Sequence, residues 1–580
     1  MRNGYPIGAA ILAIILPMIL RGAPARADDI PPAPRPAPSW DWTGFYAGGH
    51  VGALTGTTTF SDPNGVGLFG GSVVSRGFLA GLQAGYNWQA APQLVLGIEA
   101  DASLMSGHGS NTCLQSSVII TGSNCKLTPR EIATLTGRLG FVTEPHGRTL
   151  IYGKAGAAWM RADASMNPNH TVDVQDPSYT GLTFSDTPGP AVPSSASISA
   201  WGATVGAGVE YAIGSSWSLK MEYNYLRFNG MSLTTPPTSS VTPSSVTPNA
   251  DVTNLPSSGS SNISQDFHIA RLGLNYHFGG GARPSQDGGT AARGAAEAPW
   301  TPGWEFEAGG RYWYSSGSYQ NSNGGPNVLI SRLSYNNMAG HSGEMFGRVD
   351  TPIDLFVKGL VGVGVISQGQ MYDEDWGISN AINNGLPLGY TASQSNIWGS
   401  LNYATVDVGY NLLRGPDHKV GVFVGYNLYQ TIANAMGCAQ IVQPTLGNCT
   451  YPQTSYVISQ YDTWQSIRLG VSAEARVFDR VKLSGDVAYL PYVAYSGLDA
   501  HWQRIPPLFF PFNGTGNGVQ AELIATYDLT KAFSLGLGGR YWAMWTNLGS
   551  QIDSPGNLVN ASTDRYGMFL QASYKFNVPK

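Results

Sequence analysis

Asp499 and His501 stand two residues apart in Tyr495-Ser496-Gly497-Leu498-Asp499-Ala500-His501-Trp502. On an extended strand that spacing places both side chains on one face. A carboxylate beside an imidazole is the arrangement that orients a base for proton abstraction. Asp373 and Asp375, in Gly369-Gln370-Met371-Tyr372-Asp373-Glu374-Asp375-Trp376, repeat the spacing at the end of another strand-like segment. Two close carboxylates resist double ionisation and share a proton, so this pair is suited to holding a water molecule in front of a base. The chemistry implied is water activation with no covalent nucleophile. Either pair alone is weak, since Asp-x-Asp at a strand end is more often a solvated turn or a calcium site. They gain meaning only if a fold turns them toward each other.

That fold must be built outside the cytoplasm. Met1-Arg2, the apolar run Ile7 to Leu20 and the small-residue site Ala25-Arg26-Ala27 describe a secretory signal peptide over residues 1–27, with the mature chain starting at Asp28. No later uninterrupted apolar stretch reaches the ~18 residues of a membrane helix, so any further membrane crossing must use strands. The 580 residues are too many for one ordinary core and predict two domains. Only 12% of residues are charged, whereas 11% are aromatic and 74 are glycine, which suits barrels with an apolar outer face and aromatic girdles. The formal charge of -5 carries no basic footprint, and nucleic acid is excluded as a partner.

Cys113 with Cys125, and Cys438 with Cys449, form two local pairs. In an exported chain these are candidate disulfides closing surface loops, and neither has the short spacing of a zinc or redox site. There is no phosphate-cradling loop, no HExxH and no nucleophile elbow, so no cofactor is expected.

The order of segments is regular. Residues 28–40 form a proline-rich periplasmic spacer, Pro31-Pro32-Ala33-Pro34-Arg35-Pro36-Ala37-Pro38 at its centre. Residues 41–278 contain eight alternating segments: Phe45 to Phe60, Gly77 to Trp88, Leu94 to Ser106, Ile132 to Val142, Leu150 to Ala162, Ile198 to Tyr211, Trp217 to Phe228 and Phe267 to Phe278. Tight turns at Gln89 to Gln93, Thr143 to Arg148 and Ala212 to Ser216 alternate with long connections, the pattern of bacterial outer-membrane barrels. The Pro/Ser/Thr-rich tract Thr234 to Ser261 is expected to be a disordered surface loop. Residues 279–302 are a flexible linker, and residues 303–580 hold ten further segments, the last ending at Phe576. The fold class predicted is all-β: two tandem antiparallel transmembrane β-barrels of about eight and about ten strands, in the outer membrane of a Gram-negative bacterium.

If Trp304 starts at the periplasm, the third strand of the second barrel ends near Asp373 and the seventh near His501, both at the extracellular rim and on opposite sides of the ring. One obstacle stands out: Asp373 shares phase with Val361, Val363 and Val365, which read as lipid-facing. A bulge near Ser367 to Gly369 is needed to turn the acids inward.

Two resemblances follow from these residues. Trp42-Thr43-Gly44-Phe45-Tyr46-Ala47-Gly48 and Leu272-Gly273-Leu274-Asn275-Tyr276-His277-Phe278 resemble the small eight-stranded outer-membrane surface antigens of alphaproteobacteria, called porin-like or immunogenic proteins. That likeness implies fold and location and little chemistry. The second half resembles the omptin family of outer-membrane endopeptidases, through the acidic pair before Trp376, the strand Tyr489 to His501 and, loosely, Ser331-Arg332-Leu333-Ser334-Tyr335 at the start of the second strand. The resemblance implies an acidic dyad of Asp373 and Asp375, a base dyad of Asp499 and His501, surface cleavage of peptides or proteins, and lipopolysaccharide with outer-membrane lipid as partners. Lipopolysaccharide would be the activator. Omptins that cut between basic residues have an acid two residues before the catalytic Asp; here that position is Gly497, and Tyr314-Ser315-Ser316-Gly317-Ser318 on the first strand supplies no other. An altered specificity and a barrel that no longer cleaves both remain open, the latter being a structural, adhesive or porin-like surface antigen.

Overall fold

The computed structural model describes residues 40–63, 70–114, 122–143, 147–168, 183–184, 192–243, 249–255, 259–279, 281–282, 302–324, 329–376, 390–442 and 449–577. The expected signal peptide, the spacer up to residue 39 and nearly all of the linker lie outside the described residues.

Two closed antiparallel barrels account for nearly all of the described chain. The first consists of β1 (Gly44–Phe60), β2 (Ser72–Ala91), β3 (Leu94–Cys113), β4 (Ser123–Thr143), β5 (Thr149–Asn167), β6 (Ser194–Ile213), β7 (Trp217–Thr234) and β8 (Ser260–Phe278). It closes through pairing of β8 with β1, from Ile263↔Phe60 to Phe278↔Phe45. The second consists of β9 (Glu305–Gly324), β10 (Leu329–Asp350), β11 (Leu355–Trp376), β12 (Tyr390–Arg414), β13 (His418–Val442), β14 (Thr450–Phe478), β15 (Val481–His501), β16 (Leu508–Asp528), β17 (Phe533–Gln551) and β18 (Ser554–Asn577). Here β18 closes onto β9, from Leu558↔Gly324 to Asn577↔Glu305.

Every segment expected from alternation is present, and most extend further at the loop end. The reason lies in what ends a strand. Lipid contact needs only ~9–11 residues per strand, and on β11 the exposed outward row Leu355, Val357, Val361, Val363 and Val365 supplies that belt. Above the belt, pairing with neighbours continues to satisfy the backbone, so the ladder runs on into the extracellular space. Trp398 and Tyr314 mark the upper edge of the belt, and Tyr410, Tyr574 and Phe576 the lower. The Pro/Ser/Thr-rich tract departs from expectation: Thr238–Pro243 and Asn249–Leu255 pair antiparallel, Val241 opposite Val252. Its β-branched Val and Thr residues favour an extended pairing that composition alone concealed.

The first barrel is filled by charge. Glu99, Asp101, Glu210 and Glu222 face Lys154, Lys220, Arg138 and Arg271 inside it, all buried. Lys220 Nζ lies 3.0 Å from Glu99 and 3.3 Å from Glu222, Arg138 lies 2.7 Å from Glu210, and Arg271 lies 2.8 Å from Asp101. Four acids against four bases leave the interior neutral and plugged by its own side chains, as an eight-stranded barrel requires.

The two barrels pack side by side through faces that alternation assigns to lipid. Gln520 and Glu522 point into the second barrel, so Val519 points out; yet Val519 is 0% exposed, whereas the equally outward Val363 is 62% exposed. Val519, Ala521, Ala543 and Ala473 cluster with Ala53, Leu219, Met221 and Leu272 of the first barrel. Apolar surfaces gain little by leaving lipid for each other, so close packing of small side chains and polar contacts must decide the association. Arg76 of β2 supplies one such contact, bridging to Asp564 and Ser318 of the second barrel.

Candidate active site

The acidic pair is turned inward by a bulge. β11 pairs with β12 without a break from Leu355 to Ile366 and resumes at Gln370, leaving Ser367 to Gly369 out of register. Ile366 and Met371 are both 1% exposed and face the interior although they stand an odd number of positions apart. The phase has therefore changed, and Asp373 and Asp375 follow Met371 inward while Val361, Val363 and Val365 stay outside. Glycine suits the bulge, because a Cβ on Gly369 would sit 3.1 Å from the Asn336 carbonyl oxygen and the backbone would have to give by a few tenths of an ångström.

β15 uses the same device, which the sequence reading did not anticipate. Its register with β16 shifts between Leu490 and Val493, around Pro491, which has no N–H to give to a ladder. Below the shift Asp486, Ala488 and Leu490 are buried or line the interior; above it Val493, Tyr495 and Asp499 do. Both bulges lie near the top of the lipid belt, so all four side chains stand above the membrane-spanning segments.

His501 Nε2 is 2.9 Å from Asp499 Oδ2, and the edge of the Phe510 ring packs against the imidazole with centroids 5.2 Å apart. Burial works against the imidazolium, but the Asp499 carboxylate and, across the barrel, Asp373 hold the His501 pKa above its ordinary value. Burial and the neighbouring Asp375 push Asp373 well above the carboxylate range, with His501 opposing. Burial raises Asp375 as well, against the pull of His501, a hydrogen bond from Ser331 and the charge of Arg504. The two pairs thus act on one another across the barrel.

Beneath them lies a layer of aromatic side chains, including Tyr319, Tyr335, Trp464 and Tyr495. Asp462 of β14 sits in this layer, directly opposite Gly497. Tyr495 Oη donates to Asp462 Oδ1 at 2.9 Å, Gln460 Nε2 donates to the same oxygen at 2.8 Å, and Tyr319 joins through Tyr495. A side chain at position 497 is impossible as the layer stands, since its Cβ would lie 2.1 Å from Tyr495 Oη and 3.3 Å from Asp462 Oδ1. The place where the resemblance expects an acid is therefore filled from the next strand. Burial pushes Asp462 up to about 7. Its one mark in the sequence is that Gln460, Asp462 and Trp464 share a single strand phase.

Separate family models match the two halves of the chain. Residues 23–278 match the outer membrane protein beta-barrel domain, and residues 308–552 match the omptin family. The 31 kDa outer-membrane immunogenic protein of Brucella melitensis is 30% identical over 281 residues, covering 47% of this chain and 99% of that protein. The chain belongs to the outer-membrane β-barrel proteins and carries an omptin-family domain in its second half. It resides in the outer membrane of a Gram-negative bacterium. The 22 kDa outer membrane protein of Rhizobium leguminosarum bv. viciae is 29% identical over 188 residues, 32% of this chain and 65% of that protein. Among solved structures, the outer membrane protease OmpT from Escherichia coli is similar at 17% identity and a TM-score of 0.37, over 47% of this chain and 97% of that one.

Cys113 is bonded to Cys125 and Cys438 to Cys449, each pair at the outer end of a β-hairpin. Among the described residues, no group of three or more His, Cys, Asp or Glu is placed to hold a metal ion.

Proposed function

We propose that the omptin-family domain is a surface endopeptidase in which a water molecule held between Asp373, Asp375 and His501 attacks a peptide bond. The observation that carries this reading is that register shifts in both strands turn the two pairs toward the same barrel interior, where the charge of Asp373 bears on His501 and that of His501 on Asp373 and Asp375. Asp499 would hold one imidazole nitrogen, and the other nitrogen of His501 would take the proton from water. The acids, kept partly protonated by burial and by each other, would orient that water and share a proton as charge develops. Lipopolysaccharide, implied by the resemblance noted in the sequence, is the proposed activator, and peptides or proteins at the cell surface are the proposed substrates.

The test is cleavage of a mixed peptide library by the purified full chain, with and without lipopolysaccharide, alongside Asp373→Asn. Wild type is expected to cleave in its presence and Asp373→Asn to be at least about 100-fold slower. No cleavage by wild type, or equal rates for both, overturns the proposal and leaves a non-catalytic surface protein. The first barrel, whose relatives bear the name immunogenic protein, is proposed to be a surface-exposed antigen-like barrel rather than a pore.

Asp462 suggests what the cleft accepts. One inward row, about 7 Å, separates it from Asp499, so it lies beneath the bond to be cut. A carboxyl pushed up to about 7 is neutral below that pH and charged above it. Preference for a basic side chain over a neutral one is expected to rise as the pH passes through about 7, and to stay flat in Asp462→Asn. Competition between lysine- and leucine-containing peptides from pH 6 to 9 measures this; a pH-independent ratio in wild type contradicts it.

A further inference from the structure

Glu374 stands between the two inward acids, and by alternation its side chain points out of the barrel wall. Above the lipid belt an outward carboxylate belongs in water, yet Glu374 is 0% exposed. The cover comes from the first barrel. Thr112 of β3 donates to Glu374 Oε1 at 2.6 Å, and Tyr390 of β12 donates to the same oxygen at 2.8 Å. Arg332 of β10, also 0% exposed, donates to Thr112 Oγ1 at 2.8 Å, to Asn124 of β4, and to Ser322 Oγ at 3.0 Å. Trp376, two residues beyond Glu374, donates its indole N–H to the Gly122 carbonyl at 2.9 Å.

Thr112 and Asn124 are opposite one another at the outer end of the β3–β4 hairpin, beside the Cys113–Cys125 bond. The outer ends of β3 and β4 therefore grip β11 at alternate outward positions, Glu374 and Trp376, around the inward Asp375. Charge-assisted hydrogen bonds of this kind, buried between two walls, are stronger and more directional than apolar contact. A strand side chain fixed on one face fixes the backbone that carries its neighbours on the other.

We propose that the β3–β4 hairpin of the first barrel is a positioning element for the second: by holding Glu374 and Trp376 from outside, it sets where Asp373 and Asp375 stand relative to His501. The kinetic arm of its test rests on the endopeptidase reading; the spectroscopic arm does not.

Thr112→Val removes the hydroxyl at nearly constant shape, and Thr112→Ser restores it. Arg130→Gln, on β4 in an exposed ion pair with Asp163 of β5, is the control away from the contact. The full chain carrying each substitution is prepared in detergent with lipopolysaccharide, and the His501 ring resonance is titrated by NMR. The groups that bear on His501 are Asp499 on its own strand, Asp373 and Asp375 across the barrel, and Arg504 in the following turn. If the grip sets Asp373, the His501 midpoint falls by about half a unit in Thr112→Val, as for a carboxylate receding by ~2 Å at an effective dielectric of ~20. It is unchanged in Thr112→Ser and Arg130→Gln. With a cleaved peptide, kcat falls about 10- to 100-fold in Thr112→Val while KM stays within about twofold, the signature of misplaced reacting groups. An unchanged His501 midpoint in Thr112→Val overturns the inference, whether or not any peptide is cut. A shifted midpoint in a protein that cuts no peptide upholds the positioning role and refutes the endopeptidase instead.

Discussion

His501→Ala lowers kcat/KM on any peptide that the wild type cleaves by about 10²- to 10⁴-fold, the range a positioned general base contributes. Asp499→Asn should be slower too, and its pH profile is more telling than its rate. In wild type the imidazole must be neutral to accept a proton, so activity falls as the pH drops through the His501 pKa, which lies above the ordinary histidine value. Of the groups that raise it, Asp499 contributes most. Removing that charge lets burial dominate, and the acid limb of kcat/KM must move to lower pH even as the maximum falls. Rates measured from pH 5 to 9 decide the matter: an acid limb that stays in place, or moves up, means that His501 is not the base. Burial keeps Asp373 and Asp375 in their protonated forms further up the pH scale than free carboxylates, so an alkaline limb, where present, reports the acidic pair.

Lys220→Met in the first barrel is expected to cost about 3–5 kcal/mol, because breaking a buried ion pair leaves charge without compensation. Lys220 is completely buried and touches both Glu99 and Glu222. Without it the four interior carboxylates face three cations. The first barrel should then lose its heat-resistant mobility on gels at a lower temperature and unfold at a lower urea concentration, while the second barrel's transition stays in place. Pairing the change with Glu222→Gln restores neutrality and should recover much of the loss. Equal unfolding midpoints for wild type and Lys220→Met would show that the network does not hold the barrel. The same network predicts closed behaviour in planar bilayers, since these side chains fill the lumen.

The alternating segments, their even numbers and the alternation of tight turns with long connections were enough to specify two antiparallel outer-membrane barrels. This follows because a membrane strand must satisfy two environments at once, and a period of two writes that demand directly into the chain. The residue pairs Asp373 with Asp375 and Asp499 with His501 were legible for the same reason, each being one face of a strand. The phase of Asp373 even exposed the need for a bulge at Ser367 to Gly369, where the register does shift.

What lay beyond the sequence is what depends on contact between strands distant in the chain. The second bulge, at Leu490 to Val493, leaves no phase conflict as visible as that of Asp373. Asp462 comes to stand beside Gly497 only because β14 and β15 set them in register. Val519 and Val363 have the same alternation and residue type, but one is sealed against the first barrel and the other faces lipid. Periodicity reports which side of a wall a residue occupies. What stands against that side, whether lipid, water or the other barrel's Thr112 on Glu374, is decided by the way the two barrels dock.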